Sequence, residues 1–235
     1  MKAMILAAGR GERLRPLTDS TPKPMLQVAG KSLLEHHLVR LAAAGITDIV
    51  INTSWLAEQI EDYFSDCEKR LGVSISWSRE VTALETGGGI AKALPLLGVD
   101  PFMLINGDVW TDYPLAELQS KKLSDDLDAW LLLVGNPAHH PRGDFALQAG
   151  RVNYAEDHAA TFSGISLIRP ALFANYPELG SAFPLRDVLR PAIVAGRVGG
   201  EIYTGSWCDV GTLERYEQLQ ASLGQKIKSK ENKIK

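Results

Sequence analysis

The chain has 235 residues, 45% of them apolar and 23% charged, a balance that suits one large α/β domain with a full core. Its formal charge of −3 is uneven: the segment 226–235 holds five lysines and one glutamate, so the body carries −7, too acidic to predict a nucleic-acid partner. No apolar run approaches the roughly 20 residues of a membrane span, no cleavage site follows Lys2, and Cys67 and Cys208 lack a C-x-x-C neighbour, which predicts a cytoplasmic protein with no membrane association, disulfide framework or zinc site.

Lys2 to Ala8 is a short apolar run with the pattern of a buried strand. It opens into Gly9-Arg10-Gly11-Glu12-Arg13-Leu14-Arg15-Pro16-Leu17, which continues to Pro22-Lys23-Pro24. A connection of about fifteen residues before the first helix is long enough to be functional or disordered. Gly9 and Gly11 free the backbone to turn and to present N–H groups to an anion. Three arginines and Lys23 supply positive charge, and three prolines with Leu14 and Leu17 argue for an ordered cradle for a polyphosphate.

Ser32-Leu33-Leu34-Glu35 reads as a capping box, with Leu34, Leu38 and Leu41 at helical spacing and Gly45 as the stop. Thr47 to Thr53 reads as a second strand, Leu56 to Phe64 as a second helix and Val73 to Arg79 as a third strand. Gly87-Gly88-Gly89 is expected to open a helix over Ile90 to Leu97, and Phe102 to Ile105 is a fourth strand ending at Asn106-Gly107-Asp108. This alternation predicts a parallel sheet covered by helices on both faces. From Leu127 the pattern becomes mixed: a strand to Val134, a hairpin over 144–154, a strand over Phe162 to Ile168 and a helix around Asp187 to Val194. A last strand over Gly200 to Thr204 and a helix over Leu213 to Leu223 follow, the latter entered from Trp207-Cys208-Asp209-Val210-Gly211-Thr212. The expectation is one domain over 1–225, in halves 1–110 and 111–225, with 226–235 as a disordered Lys-rich tail.

Ligands of doubly wound sheets bind beyond the carboxyl ends of the strands. The loops at Gly9 to Arg15, at Glu80 with Glu85 to Gly89, and at Asp108 are therefore predicted to face one crevice. A nicotinamide fingerprint fails there, because Leu14 replaces its third glycine and Pro16 interrupts its helix. The chain has no Walker motif, and Ser163 lacks the frame of a nucleophile elbow.

What the run does resemble is the signature of the sugar-1-phosphate nucleotidyltransferases: Leu6-Ala7-Ala8-Gly9-x-Gly11-x-Arg13-Leu14-x-Pro16-Leu17-Thr18, then Pro22-Lys23-Pro24. The likeness continues through Asn106-Gly107-Asp108 and Trp207 to Thr212 and covers nearly the whole chain before the Lys-rich tail. It implies a Rossmann-like doubly wound mixed sheet of the nucleotide-diphospho-sugar transferase type, with a nucleotide-binding half at 1–110 and a mixed α+β sugar-binding half at 111–225. Lacking a hexapeptide-repeat extension, the chain is most similar to compact bacterial members that take UTP and N-acetylmuramic acid 1-phosphate to UDP-N-acetylmuramic acid and pyrophosphate in cell-wall (peptidoglycan) recycling. Mannose 1-phosphate with GTP, and glucose 1-phosphate with dTTP or UTP, are the alternatives. A non-catalytic sugar-nucleotide sensor is the rival of another class, and the joint presence of Arg13, Lys23, Asp108 and Asp209 argues against it.

The resemblance also implies roles. Backbone N–H groups of Ala8, Gly9 and Gly11 with Arg13 hold the β and γ phosphates, and Lys23 acts on the α or the incoming phosphate. Asp108 and Asp209 hold Mg²⁺, which prefers one or two carboxylates, phosphate oxygens and water. Glu80 or Glu85 and the glycines, Gly88 and Gly89 among them, meet the base; Asn106, Gly143, Glu156, Ser163 and Gly164 meet the sugar. Where many relatives carry Glu-Lys-Pro this chain has Glu156-Asp157-His158, so Arg142, Arg169 or Arg186 is left to replace the lysine. His139 and His140 are expected in a solvated loop.

Overall fold

The computed structural model describes residues 1–154, 159–176 and 180–234, with the side chains of 67–68 and 226–234 outside the description. The first half contains β1 (Ala3–Leu6), α1 (Leu17–Ser20), β2 (Gln27–Val28), β3 (Lys31–Ser32), α2 (Leu33–Ala43), β4 (Asp48–Thr53), α3 (Ala57–Tyr63), α4 (Cys67–Leu71), β5 (Ser74–Arg79), α5 (Glu85–Leu97) and β6 (Phe102–Asn106). The second half contains β7 (Val109–Thr111), α6 (Leu115–Ser120), β8 (Ala129–Val134), β9 (Phe145–Gln148), β10 (Arg151–Asn153), β11 (Ala159–Ile168), α7 (Leu185–Val194), β12 (Val198–Tyr203), β13 (Trp207–Asp209) and α8 (Leu213–Ile234).

One nine-stranded sheet joins both halves in the order β5-β4-β1-β6-β11-β8-β12-β10-β9. The first four strands are mutually parallel, β11 runs antiparallel to β6 and β8, and β12 is parallel to β8. Alternating side chains leave the strands on opposite faces. Ile5, Ile51, Ile105 and Leu132 enter one core with α2 and α6, whereas Met4, Val50, Leu104 and Leu131 enter the other with α5 and α7. The chain steps outward from β1 to β4 and β5, then returns to its other side as β6, so the switch of direction lies between β1 and β6. A crevice at that point is the expected ligand site of such a sheet.

A third, smaller core fastens the long loop after β1. Leu14, Leu26 and Val28 pack with Val210, Leu219 and Leu223, while Tyr216 and Gln220 of α8 donate to the Gln27 carbonyl at 2.8 and 2.9 Å. The two ends of the chain thereby close on the same loop. The capping box is present in part, with the Glu35 N–H donating to Ser32 Oγ at 3.1 Å.

Two expectations are corrected. Helix α5 begins at Glu85 and takes the glycine triplet into its first turn. The run at Trp207, expected as a turn into the last helix, is strand β13, whose Asp209 stands opposite Val109 of β7. Helix α8 spans Leu213–Ile234.

Candidate active site

The carboxyl ends of β1, β4 and β6 open on a cleft of about 230 Å³ walled by Ala8, Gly9, Lys23, Asn52, Thr86 and Asp108, among others. The loop after β1 is ordered by its own contacts. Gly11 sits at φ 70°, where a Cβ would lie 3.0 Å from Thr18 and 3.1 Å from Lys23, and its carbonyl accepts from Thr18 Oγ1 at 2.8 Å. Arg10 donates to the Thr18 carbonyl at 2.6 Å and lies 3.8 Å over the Trp55 ring. Arg15 pairs with Asp19 at 2.7 Å; hydrogen bonds from Arg15 and then Arg10 hold the Asp19 carboxyl below the usual range. Arg10 and Arg15 therefore brace the loop, and Gly9 is the position where no atom would approach a Cβ within 4 Å.

Two acid–base poles stand here, one lining this cleft and one in the cavity beside it. Lys23 Nζ meets Asp108 Oδ2 at 2.6 Å. On β13, Asp209 is gripped by Arg215 Nη1 at 2.7 and 2.6 Å through its two oxygens, and His139 Nε2 lies 3.2 Å from its Oδ1. Pairing of β7 with β13 brings the poles together, with Val210 N–H donating to the Asp108 carbonyl at 2.8 Å. Arg13, Asp108, Asp209, Arg215 and His139 line one cavity of about 380 Å³. Behind Asp108, His37 is buried and neutral, its imidazole pushed down to about 3 by burial first and then by Arg40. Burial likewise pushes the Cys208 thiol up to about 11, which leaves it protonated.

The residues expected at the base lie differently. Glu80 is buried; its Oε1 accepts from Asn52 at 2.7 Å and its Oε2 from the Leu84 N–H at 3.0 Å. Asn52 in turn accepts from the Ala7 N–H at 2.8 Å, so Glu80 supports the cleft wall from behind. Gly88 and Gly89 are buried too. A Cβ would fall 2.2 Å from the Ser181 carbonyl at Gly88 and 2.7 Å from Glu80 at Gly89. The N–H groups of Gly87 and Gly88 donate to the Phe183 carbonyl. The wall at this point is Ala83, Glu85 and Thr86.

A second-half cavity of about 430 Å³ adjoins, walled by Asp144, Phe145, Phe162, Leu185, Arg186 and Leu189 among others. Asn106 lines all three cavities and is their junction. Strand β11 bulges at Ser163 and Gly164, both of which line the cavity of the two poles; at Gly164 a Cβ would fall 2.7 Å from Asn106. Bulges re-aim strands beside sites in this way. Gly143 shapes the preceding loop, since a Cβ there would fall 2.6 Å from Asn136. Glu156, Asp157 and His158 lie outside the described residues. Of the three arginines left to replace the missing lysine, Arg169 is spent on the carbonyls of Leu123, Ser124 and Leu127, Arg142 is exposed, and Arg186 lines the second cavity. His139 and His140 stand part-exposed in the loop after β8, where His140 pairs with Asp144 at 3.0 Å. Residues unforeseen at the site are Asn52, Thr86, Asp144, Phe162, Arg215 and His139; Asn52 alone had a signal, as the polar end of a predicted strand.

Among the described residues, no helix is long and apolar enough to cross a membrane. The sequence profile of the nucleotidyl transferase family matches residues 2–145. The chain is 50% identical over 230 residues to an N-acetylmuramate alpha-1-phosphate uridylyltransferase of Neisseria meningitidis, covering 95% of this chain and 99% of that one. It is 35% identical over 236 residues to a protein of the same name from Caulobacter vibrioides, covering 95% and 97%. In structure it is similar to a UDP-glucose pyrophosphorylase solved with UDP-glucose, with a TM-score of 0.78 at 21% identity over 96% of this chain and 100% of that one, a likeness of fold. With a family profile over more than half its length and these relatives along nearly all of it, the chain belongs to the nucleotidyl transferase family.

Proposed function

We propose that the protein catalyses attack by a phosphate oxygen of N-acetylmuramic acid 1-phosphate on the α-phosphorus of UTP, giving UDP-N-acetylmuramic acid and pyrophosphate in cell-wall recycling. The observation that carries this reading is the 50% identity to the Neisseria enzyme along nearly all of both chains. The chemistry joins two polyanions, the sugar phosphate alone carrying close to −2 near neutral pH. Catalysis is then chiefly charge neutralisation and alignment. In this reading UTP lies in the first cleft, with Ala8 and Gly9 N–H groups and Arg13 on the departing pyrophosphate. Lys23 leaves Asp108 for an α-phosphate oxygen, and the sugar enters the cavity at Phe162 and Asp144, with Asn106 between donor and acceptor.

The donor set suits Mg²⁺: Asp108, in the turn before β7, and Asp209, on β13, are part-exposed carboxylates that line one cavity. When bound, the ion neutralises phosphate charge between donor and acceptor. Before nucleotide enters, Lys23 pairs with Asp108; Arg215 holds Asp209.

Pyrophosphate release from UTP, GTP or dTTP with N-acetylmuramic acid, mannose or glucose 1-phosphate, each with Mg²⁺ or with chelator, tests the reading. Turnover is expected for UTP with N-acetylmuramic acid 1-phosphate, and its loss with chelator. A preference for another pair overturns the substrate assignment, full turnover in chelator overturns the Mg²⁺ role, and tight nucleotide binding without turnover of any pair favours the sensor.

A further inference from the structure

We infer that Arg186 recognises the carboxylate of the acceptor sugar and so sets the preference for N-acetylmuramic acid 1-phosphate over its uncharged analogues; this rests on the reading above. N-Acetylmuramic acid is N-acetylglucosamine with a lactyl ether on O3, so its 1-phosphate is anionic at both ends. The chain's cations are divided to match. Lys23, Arg13 and Arg215 gather at Asp108 and Asp209, where the phosphates meet. In the adjoining cavity, Arg186 is the one cation among the described lining residues, beyond Asn106 and Phe162 from the poles.

Arg186 is also an arginine without a short bond. Its side chain is 77% exposed and its nearest acid, Asp187, is 3.8 Å away, whereas Arg169, Arg197 and Arg215 are held by short bonds. Two acids line the same cavity, Glu85 and Asp144, and neither is ion-paired with Arg186; Asp144 is held by His140 at 3.0 Å and by the Phe162 N–H at 2.8 Å. The backbone that carries Arg186 is fixed, because the Leu185 N–H donates to Thr86 Oγ1 at 2.8 Å and the Phe183 carbonyl accepts from Gly87 at 2.8 Å. A guanidinium fork carried on the anchored first turn of α7 matches a carboxylate bidentately, and a neutral sugar leaves it without a partner.

The experiment compares kcat/KM for N-acetylmuramic acid 1-phosphate and N-acetylglucosamine 1-phosphate, with UTP and Mg²⁺, in the wild-type protein and in Arg186→Ala. The ratio of the two values is expected to fall by at least about tenfold in the variant, the scale of one hydrogen bond to a charged group. A smaller fall, including an equal loss on both substrates as a structural role would give, overturns the inference alone. A wild-type protein that does not turn over N-acetylmuramic acid 1-phosphate overturns the functional reading, and the inference with it.

Discussion

Gly9 and Gly11 follow β1, and Gly87 to Gly89 open α5 after β5; in sequence both runs look like backbone freed to approach a ligand, and in the fold they part company. At Gly9 the space a side chain would fill is empty and belongs to the cleft. At Gly88 and Gly89 the same space is occupied by the Ser181 carbonyl and by Asn52 with Glu80. Gly9 of the first run borders the cleft, while the second run lets α5 press against the segment leading to α7 and so holds the wall on which Thr86 and Arg186 stand. A glycine's role is decided by what fills the volume of its missing Cβ, and that neighbour comes from elsewhere in the chain.

The largest expected effect falls beside the open turn. Lys23→Ala and Asp108→Asn are each expected to lower kcat at least about a hundredfold, the scale of removing one preorganised electrostatic group. Near-normal rates in both variants, measured by pyrophosphate release, place the chemistry elsewhere. Gly88→Ala comes next, as a stability effect. Its Cβ must displace a backbone carbonyl 2.2 Å away. Overpacking of this kind costs about 1–3 kcal/mol, read from denaturant unfolding, and an unchanged unfolding midpoint breaks the contrast between the two runs.

Glu80→Gln sharpens the contrast from the other side. An amide cannot satisfy both the Asn52 NH₂ and the Leu84 N–H as the carboxylate does. A loss of about 1–3 kcal/mol is expected for the polar group left unpaired, with the KM for nucleotide within about threefold of wild type. A KM rise of tenfold or more restores Glu80 as a contact of the base. The smallest stability change is expected for Gly9→Ala, whose backbone is outside the left-handed region and whose Cβ meets nothing. Its unfolding free energy should stay within about 0.5 kcal/mol or rise slightly, while the KM for nucleotide rises because the methyl group projects into the cleft. A destabilised variant with unchanged KM reverses that assignment.

Much of the first half was legible because its signals are local. The apolar run at β1, the capping box at Ser32 and the strand–helix alternation to β6 each depend on neighbours within a few residues, and each element stands within a few residues of its expected place. Local signals failed where partners are distant. Strand β13 is three residues long, and its identity as a strand depends on β7 almost a hundred positions earlier. Arg215 lies on an ordinary amphipathic helix, and His139 in a polar loop; neither shows in sequence that it faces Asp209.

By itself the amino-acid sequence determined the glycine- and arginine-rich loop after β1, the alternation of the main strands and helices in the first half and the residue types at the two poles, because these rest on propensity, periodicity and short motifs. Only the tertiary structure decided which charges meet. Lys23 reaches Asp108 across 85 positions, and β7 with β13 sets Asp209 beside them, because sheet order determines which strand ends share a crevice. The fold likewise decided which glycines stay open, which acids are spent on the scaffold and which arginine is left for a ligand, since burial and pairing are properties of the packed neighbours.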